Sequence, residues 1–104
     1  MQLNDFRDIL LEADGNITKR FGAGTGNYTV WTPGGIDRVM SDDTGDENVQ
    51  RVYVDRYTKL DNDPVVQAIW NALEGAFISF EYEQDTENDT KYIHHTFTCY
   101  IQIN

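Results

Sequence analysis

Two adjacent histidines are the residues of this 104-residue sequence that a search for metal chemistry would test first. His94 and His95 lie in the segment 92–103, whose strict alternation of residue types predicts a β-strand. Because successive side chains of a strand point to opposite faces, the two imidazoles cannot bind one metal ion from regular geometry. We therefore expect no metal and no cofactor here. His95 should be an inward, hydrogen-bonded residue, and His94 a residue of the surface or of an interface.

Other residues with potential chemistry lack the surroundings that it needs. The glycine-rich segment 22–26 has neither the spacing of a dinucleotide fingerprint nor the Lys-Ser/Thr pair of a phosphate loop, so we expect a loop that orders against a neighbour. The acidic segment 41–48 does not match the calcium-loop pattern and is expected to be a solvated loop. Cys99 falls within a predicted strand, and Ser41 and Ser79 have no nucleophile-elbow motif around them. We expect that the protein is not an enzyme.

Apolar residues at helical spacing predict two helices. The first is short and amphipathic, and it should end at the segment 14–16. The second should begin with Asp63 as its N-cap and Pro64 at its first helical position, and it should end near Gly75. The stripes that support these helices are Leu3, Phe6, Leu10 and Ala13 in the first, and Val66, Ile69, Trp70 and Leu73 in the second.

Two or three strands are predicted between the helices. A brief strand or an extended connection is expected at 17–21, before the glycine-rich loop. The strand 28–31 should stop at a type II turn, in which Pro33 presets φ and Gly34 accepts a positive φ. The following residues, 36–40, are compatible with either strand or helix.

The next strand, 49–59, should present useful side chains on both of its faces. Val52 and Val54 mark one face, and Tyr53 and Tyr57 mark the other. Its many β-branched residues and tyrosines are typical of a strand that is packed on both sides.

A long β-hairpin is predicted at the end of the sequence, from strands at 77–83 and 92–103 joined by an acidic turn. One face of the second strand is apolar. The other face carries Tyr92, Thr96, Thr98 and Tyr100. These four side chains include no Lys or Glu, and such a face suits burial against another chain.

The predicted fold class is α+β, with residues 1–104 forming one domain. Two helices should pack on a largely antiparallel sheet of about four to five strands as a two-layer sandwich, in the order α-β-β-β-α-β-β. A chain of this length buries roughly 60–65% of its extended surface, which is enough for one core.

Charge and cysteine content limit the class of protein. The formal net charge of −10 opposes contact with nucleic-acid phosphates and with anionic lipids, so neither direct nucleic-acid binding nor membrane binding is expected. One cysteine cannot form an internal disulfide, and neither a secretory signal nor a membrane span is recognisable. These features favour synthesis in a cytoplasm.

Three stretches resemble small tail-completion or tail-terminator proteins of long-tailed bacteriophages and prophages. They are VWTPGGIDRV at 30–39, RVYVDRYTK at 51–59 and DPVVQAI at 63–69, and the order of elements also fits this family. The resemblance implies a structural virion protein that closes the head-proximal end of the tail tube, typically as a hexameric ring. It would stop tube polymerisation and present the surface that joins the filled head.

The partners implied by this resemblance are other copies of the chain, the tail tube protein and a head-completion protein. The implied location is the tail or neck of the virion, reached from the host cytoplasm during assembly. The resemblance implies no catalytic residues.

A ring contact between identical subunits needs two different patches on each subunit. The candidate interface residues are Tyr53, Tyr57, Tyr92, Thr96, Thr98, Tyr100 and Gly24. The candidates for an acidic rim or lumen, past which DNA could move without adhering, are Asp42, Asp43, Asp46 and Glu47.

Two alternatives remain open from the sequence. Within virion assembly, the protein could be a head-tail neck adaptor or a tail-tube subunit, because such small α+β proteins solve the same packing problem. In a different class, it could be an acidic cytoplasmic inhibitor that occupies a basic nucleic-acid site by mimicking phosphate charge. Binding by the inhibitor should weaken strongly with salt, whereas a ring held by tyrosines and strand pairing should persist.

Overall fold

The computed structural model describes residues 1–19, 26–41 and 45–103. Within these residues, seven elements follow one another: α1 (Leu3–Ala13), β1 (Thr18–Lys19), β2 (Tyr28–Ser41), β3 (Gly45–Thr58), α2 (Pro64–Gly75), β4 (Ser79–Thr86) and β5 (Ile93–Gln102). The strands form one sheet in the order β1-β2-β3-β5-β4. β1 runs parallel to β2, and the other neighbouring pairs are antiparallel. The predicted fold class and element order are confirmed. Neither of the described helices is long and apolar enough to cross a bilayer.

Both helices pack against the same face of the sheet. Phe6 and Leu10 of α1 and Ile69 and Leu73 of α2 are fully buried, as the helical stripes predict. They meet the sheet residues Trp31, Val52, Val54, Phe97, Cys99 and Ile101. The core therefore lies between one helical layer and one face of the sheet, and no helix of the described residues packs on the opposite face.

Arg56 of β3 is a buried cation that connects both helices to the sheet. Its Nε donates to Asp63 Oδ2 at 2.7 Å, its Nη1 donates to Thr29 Oγ1 at 3.2 Å, and Nη1 lies 3.6 Å from Asp14 Oδ2. Asp63 is the N-cap of α2, as predicted, and accepts a hydrogen bond from the Val65 N–H at 3.0 Å. Burial alone would raise the pKa of Asp63, but the hydrogen bonds from Arg56 and Val65 outweigh it and lower this pKa.

α2 ends at Gly75, as predicted, but glycine does not take the left-handed position that closes the helix. Gly75 is the last helical residue, and the left-handed conformation falls on Phe77, with φ of 57°. The Phe77 N–H donates to the Glu74 carbonyl and the Ile78 N–H donates to the Leu73 carbonyl, each at 3.0 Å, which is a Schellman ending. This ending places Ile78 in the core, and the following strand begins two residues later than predicted.

The predicted type II turn is wrong, because β2 continues through it as a β-bulge. The register shifts between Pro33 and Ile36, so that Gly34 and Gly35 together lie opposite the single residue Arg51. Proline and glycine suit a bulge as well as a turn, and pairing with the neighbouring strand β3 selects the bulge.

β2 and β3 continue beyond the rest of the sheet as a two-stranded arm. β5 pairs with β3 only as far as Val49, whereas β2 and β3 stay paired as far as Ser41 and Gly45. Residues 36–40 are therefore strand, and 45–48 belong to β3 rather than to the predicted acidic loop. The molecule measures 49 × 26 × 22 Å, and its radius of gyration is 14.7 Å. A compact domain of about 100 residues has a radius of about 13 Å, so the molecule is elongated.

Candidate interaction surface

The face of the sheet opposite the helices joins two groups of residues that the sequence places on separate strands. On β3 it carries Arg51, Tyr53, Asp55 and Tyr57, and on β5 it carries His94, Thr96, Thr98 and Tyr100. The register sets Tyr57 opposite His94, and Tyr53 opposite Thr98. We call this surface, made by these eight residues, the open face.

A cluster of aromatic rings occupies one end of the open face. The rings of Tyr28 and Tyr57 are stacked with centroids 4.8 Å apart, and those of Tyr57 and His94 are stacked at 4.2 Å. Tyr92 meets the Tyr28 and Tyr57 rings edge-on at 6.1 and 6.3 Å, and Lys59 Nζ lies 4.9 Å from the Tyr92 centroid. We call Tyr28, Tyr57, Tyr92 and His94 the tyrosine cluster. Tyr28 is not among the residues that the sequence predicts, because its position depends on the register between β2 and β3.

Hydrogen bonds fix the polar residues beside the tyrosine cluster. Asp55 Oδ1 lies 2.8 Å from His94 Nε2 and accepts a hydrogen bond from Thr96 Oγ1 at 3.2 Å. Burial, followed by the negative charge of Asp55, raises the pKa of Tyr57. The Tyr57 hydroxyl is therefore uncharged at neutral pH.

Hydrogen bonds and ion pairs also order the other end of the open face. The Tyr100 hydroxyl donates to Glu81 Oε1 at 3.0 Å, and this bond raises the pKa of Tyr100. Arg51 Nε lies 3.1 Å from Asp37 Oδ2, and Arg51 Nη1 donates to the Tyr53 hydroxyl at 3.5 Å. The tyrosines here are held in place before any partner arrives.

β4 gives the open face an acidic border. This strand forms one edge of the sheet, and three exposed carboxylates on it lie opposite open-face residues of β5. These are Glu81 opposite Thr98, Glu83 opposite Thr96, and Asp85 opposite His94. Aromatic side chains within a polar rim are common at protein interfaces.

The structure brings together most of the residues predicted for an interface. Tyr53, Tyr57, Tyr92, Thr96, Thr98 and Tyr100 lie on or beside the open face. Gly24, Asp42 and Asp43 lie outside the described residues. Asp46 and Glu47 belong to the β3 backbone of the arm. Contact of any of these residues with another chain stays a prediction.

The two histidines and the cysteine occupy the positions that strand alternation predicts. His95 is buried, and its Nδ1 lies 2.6 Å from the Tyr82 hydroxyl, whereas His94 lies on the opposite face. Burial lowers the pKa of His95, so its imidazole is neutral at neutral pH. Burial raises the pKa of Cys99 to about 12, which keeps this thiol protonated. Across residues 1–19, 26–41 and 45–103, no group of three or more His, Cys, Asp or Glu side chains could hold a metal ion.

Comparison with known proteins gives a likeness in fold. No protein-family model matches this sequence, and no curated protein sequence matches it. The solved structures include a chain from the virion of a native gene transfer agent (GTA) particle, which superposes with a TM-score of 0.56. The two chains are 15% identical, and the match covers 89% of this chain and 82% of that one. What they share is the fold. It extends over most of both chains.

Proposed function

We propose that this protein is a structural protein of a phage-like virion, which caps the head-proximal end of the tail tube as a ring of identical subunits. It ends polymerisation of the tube and offers the surface to which the filled head joins. The observation that carries this proposal is the likeness in fold, over most of both chains, to a chain of a gene transfer agent virion. The resemblance of the stretches 30–39, 51–59 and 63–69 to tail-terminator proteins supports the more specific role.

The open face supports assembly into a ring. A heterologous contact joins two different patches, and repeats around a closed ring when the rotation closes. We propose the tyrosine cluster together with Tyr53 and Tyr100 as one patch, because aromatic side chains are enriched at interfaces and neither described helix covers this face. The arm is our candidate for the second patch, because it extends beyond the body of its own sheet.

The charge of the chain suits a ring through which DNA passes. Each subunit carries a formal net charge of −10, so a ring of several subunits repels phosphate at its rim and lumen. We propose that Asp42, Asp43, Asp46 and Glu47 contribute to that rim. The role proposed here needs neither catalysis nor a cofactor, because it rests on shape and charge.

Deletion of the gene separates the proposed role from its closest alternatives. In a strain whose particles contain this protein, a tail terminator predicts tails of uncontrolled length that carry no heads. Filled heads that fail to join tails of normal length would indicate a neck adaptor instead. Complete loss of tail tubes would indicate a tube subunit.

The purified protein tests the ring itself. We expect rings in negative-stain images and a mass by light scattering that is a multiple of the monomer mass. Thr98→Lys should disrupt the ring, because it places a long charged side chain at the centre of the open face. It should preserve the fold, since the new ammonium group lies across from Glu81 on the neighbouring strand.

Leu11→Lys is the matched control for the open-face variant. Leu11 lies on α1 with 39% of its surface exposed, on the opposite side of the sheet from Thr98, so this variant should assemble like the wild type. A wild-type protein that stays monomeric at all concentrations, or a Thr98→Lys variant that forms normal rings, would contradict the proposed contact.

A further inference from the structure

Phe77 combines two features that are unfavourable for a phenylalanine in the folded monomer. Its side chain is 95% exposed, the highest value among the large apolar side chains of the described residues. Its backbone is left-handed, with φ of 57°, at the position after a helix where glycine is the usual residue. A phenylalanine here therefore strains the backbone and leaves an apolar ring in water. Backbone strain of this kind is commonest where a residue serves a function.

A groove lies directly beside the exposed ring. It has a volume of about 450 Å³, and a cavity of roughly 150 Å³ is already large enough for benzene. The groove runs between the end of α2 and the end of β5, and Phe77 forms one of its walls. The other residues that line it are Met1, Ala76, Ile78, Tyr100, Ile101 and Gln102. An apolar projection and a site that can receive it thus occupy one surface.

We propose that two copies of this chain pair through this surface, with Phe77 of each copy seated in the groove of the other. A projection next to a matching groove is self-complementary about a two-fold axis, which is the geometry of an isologous contact. Because Phe77 is also a wall of its own groove, the two phenyl rings would meet near the axis. A partner of different sequence would need only one of these two features on this chain, either the projecting ring or the groove.

The area available makes this pairing weak. One aromatic side chain buries about 150–250 Å², so two of them and the groove walls that they cover amount to roughly 600–1,000 Å² in total. Stable interfaces bury about 1,200–2,000 Å². The net charge of −10 on each copy opposes pairing as well. The dimer should therefore form in a concentration-dependent manner and strengthen with salt.

This pairing goes beyond the proposed ring and does not depend on it. The site lies where α2 ends and shares only Tyr100 with the open face. The ring contact can be removed by Thr98→Lys, whose position is not part of the groove. Pairing through Phe77 can then be measured in that background, so that failure of one proposal is distinguishable from failure of the other.

Phe77→Gly gives two readouts that move in different directions. Glycine adopts φ of 57° without strain, so the variant should resist urea at least as well as its parent. Its dimerisation, measured by sedimentation equilibrium in the Thr98→Lys background, should weaken by about tenfold or more in Kd, because the anchoring ring is gone. Phe77→Leu, which keeps an apolar projection on the same strained backbone, should retain most of the dimerisation.

Either of two results would contradict pairing through Phe77. If the Thr98→Lys parent is monomeric at every concentration, or if Phe77→Gly dimerises as well as that parent, then copies of this chain do not pair through Phe77. A gain in stability without loss of dimerisation would show that the strain at this residue serves no self-association.

Discussion

At the scale of single residues, the burial of Arg56 decides how strongly the two helices are held to the sheet. Its guanidinium contacts oxygen atoms of Asp14, Thr29 and Asp63, which come from the end of α1, from β2 and from the start of α2. We expect Arg56→Ala to lower the free energy of unfolding by about 3–5 kcal/mol, because it leaves the Asp63 carboxylate buried without its cation. Urea denaturation at neutral pH measures this loss.

An exposed ion pair provides the control for this prediction. Arg7 Nη2 lies 3.1 Å from Asp8 Oδ1 at the surface of α1, and Arg7→Ala should change stability by less than about 1 kcal/mol. The pH gives a second check, because the pKa of Asp63 is lowered below 3.8. The stabilisation from this carboxylate is complete above that value and is lost as pH falls through the folded-state pKa. The difference between wild type and Arg56→Ala should therefore shrink in acid, and a constant difference would rule out this role of Asp63.

A sequence pattern predicts which face of a strand a residue occupies, but it does not predict the register between strands. A period of two is enough to place His94 and His95 on opposite faces, because that rule acts within one strand. The stack of Tyr28 on Tyr57 follows from the register between β2 and β3, which no local pattern determines. The residues on the open face of each single strand were therefore predictable. That these strands lie side by side and form one continuous surface was not.

At the scale of elements, the bulge in β2 depends on close approach to β3 at one glycine. A Cβ at Gly34 would lie 2.7 Å from Tyr53 Cε2 and 3.3 Å from the Arg51 carbonyl oxygen. A Cβ at Gly35 would meet only the Arg51 guanidinium, with Nη2 at 2.9 Å, and that flexible end can move away. We expect Gly34→Ala to cost about 1–3 kcal/mol, as overpacked sites do.

Gly35→Ala is the neighbouring control for the bulge. It should change stability by no more than about 0.5 kcal/mol, because only a mobile side-chain end must shift. Urea denaturation of the two variants, side by side, gives the comparison. Equal losses would mean that the bulge relaxes around a side chain and that close approach at Gly34 is unimportant.

Two departures from the predicted local structure arise where one residue type fits two local structures. Pro33, Gly34 and Gly35 satisfy a turn as well as a bulge, and the choice is made by a partner strand distant in sequence. At the end of α2, Gly75 suits the left-handed position that closes a helix, yet Gly75 stays helical and Phe77 takes that position, with Ile78 buried in the core. In both places tertiary packing overrides a local preference.

At the scale of the whole molecule, the order of elements and the two-layer architecture follow from the sequence, but the elongated shape does not. Helical stripes and strand alternation are local signals, and they are enough to predict which faces meet in the core. The arm arises because β2 and β3 stay paired beyond Val49, which is the last residue of β3 that pairs with β5. Such a length is set by pairing between strands, and the acidic composition of 41–48 resembles that of a loop.

Salt separates the two classes of function that remain possible for a chain of this charge. Ten net negative charges on each subunit repel one another in a ring, whereas they would attract a basic partner if the protein mimicked phosphate. Raising the salt from about 0.1 M to about 1 M shortens the Debye length from about 10 Å to about 3 Å. A ring held by the tyrosine cluster should therefore persist or become more populated, because only the repulsion is screened.

Sedimentation velocity at the two salt concentrations measures this response, and Thr98→Lys serves as the control that should form no ring at either one. Aromatic contacts on the open face lose little when ions are added, since their stabilisation comes from removal of ring surface from water. Rings that dissociate at high salt would mean that ion pairs, such as those available to the acidic border of β4, hold the subunits together. The tyrosines would then have to be explained by stability of the monomer, and the acidic inhibitor would become the better explanation of the charge.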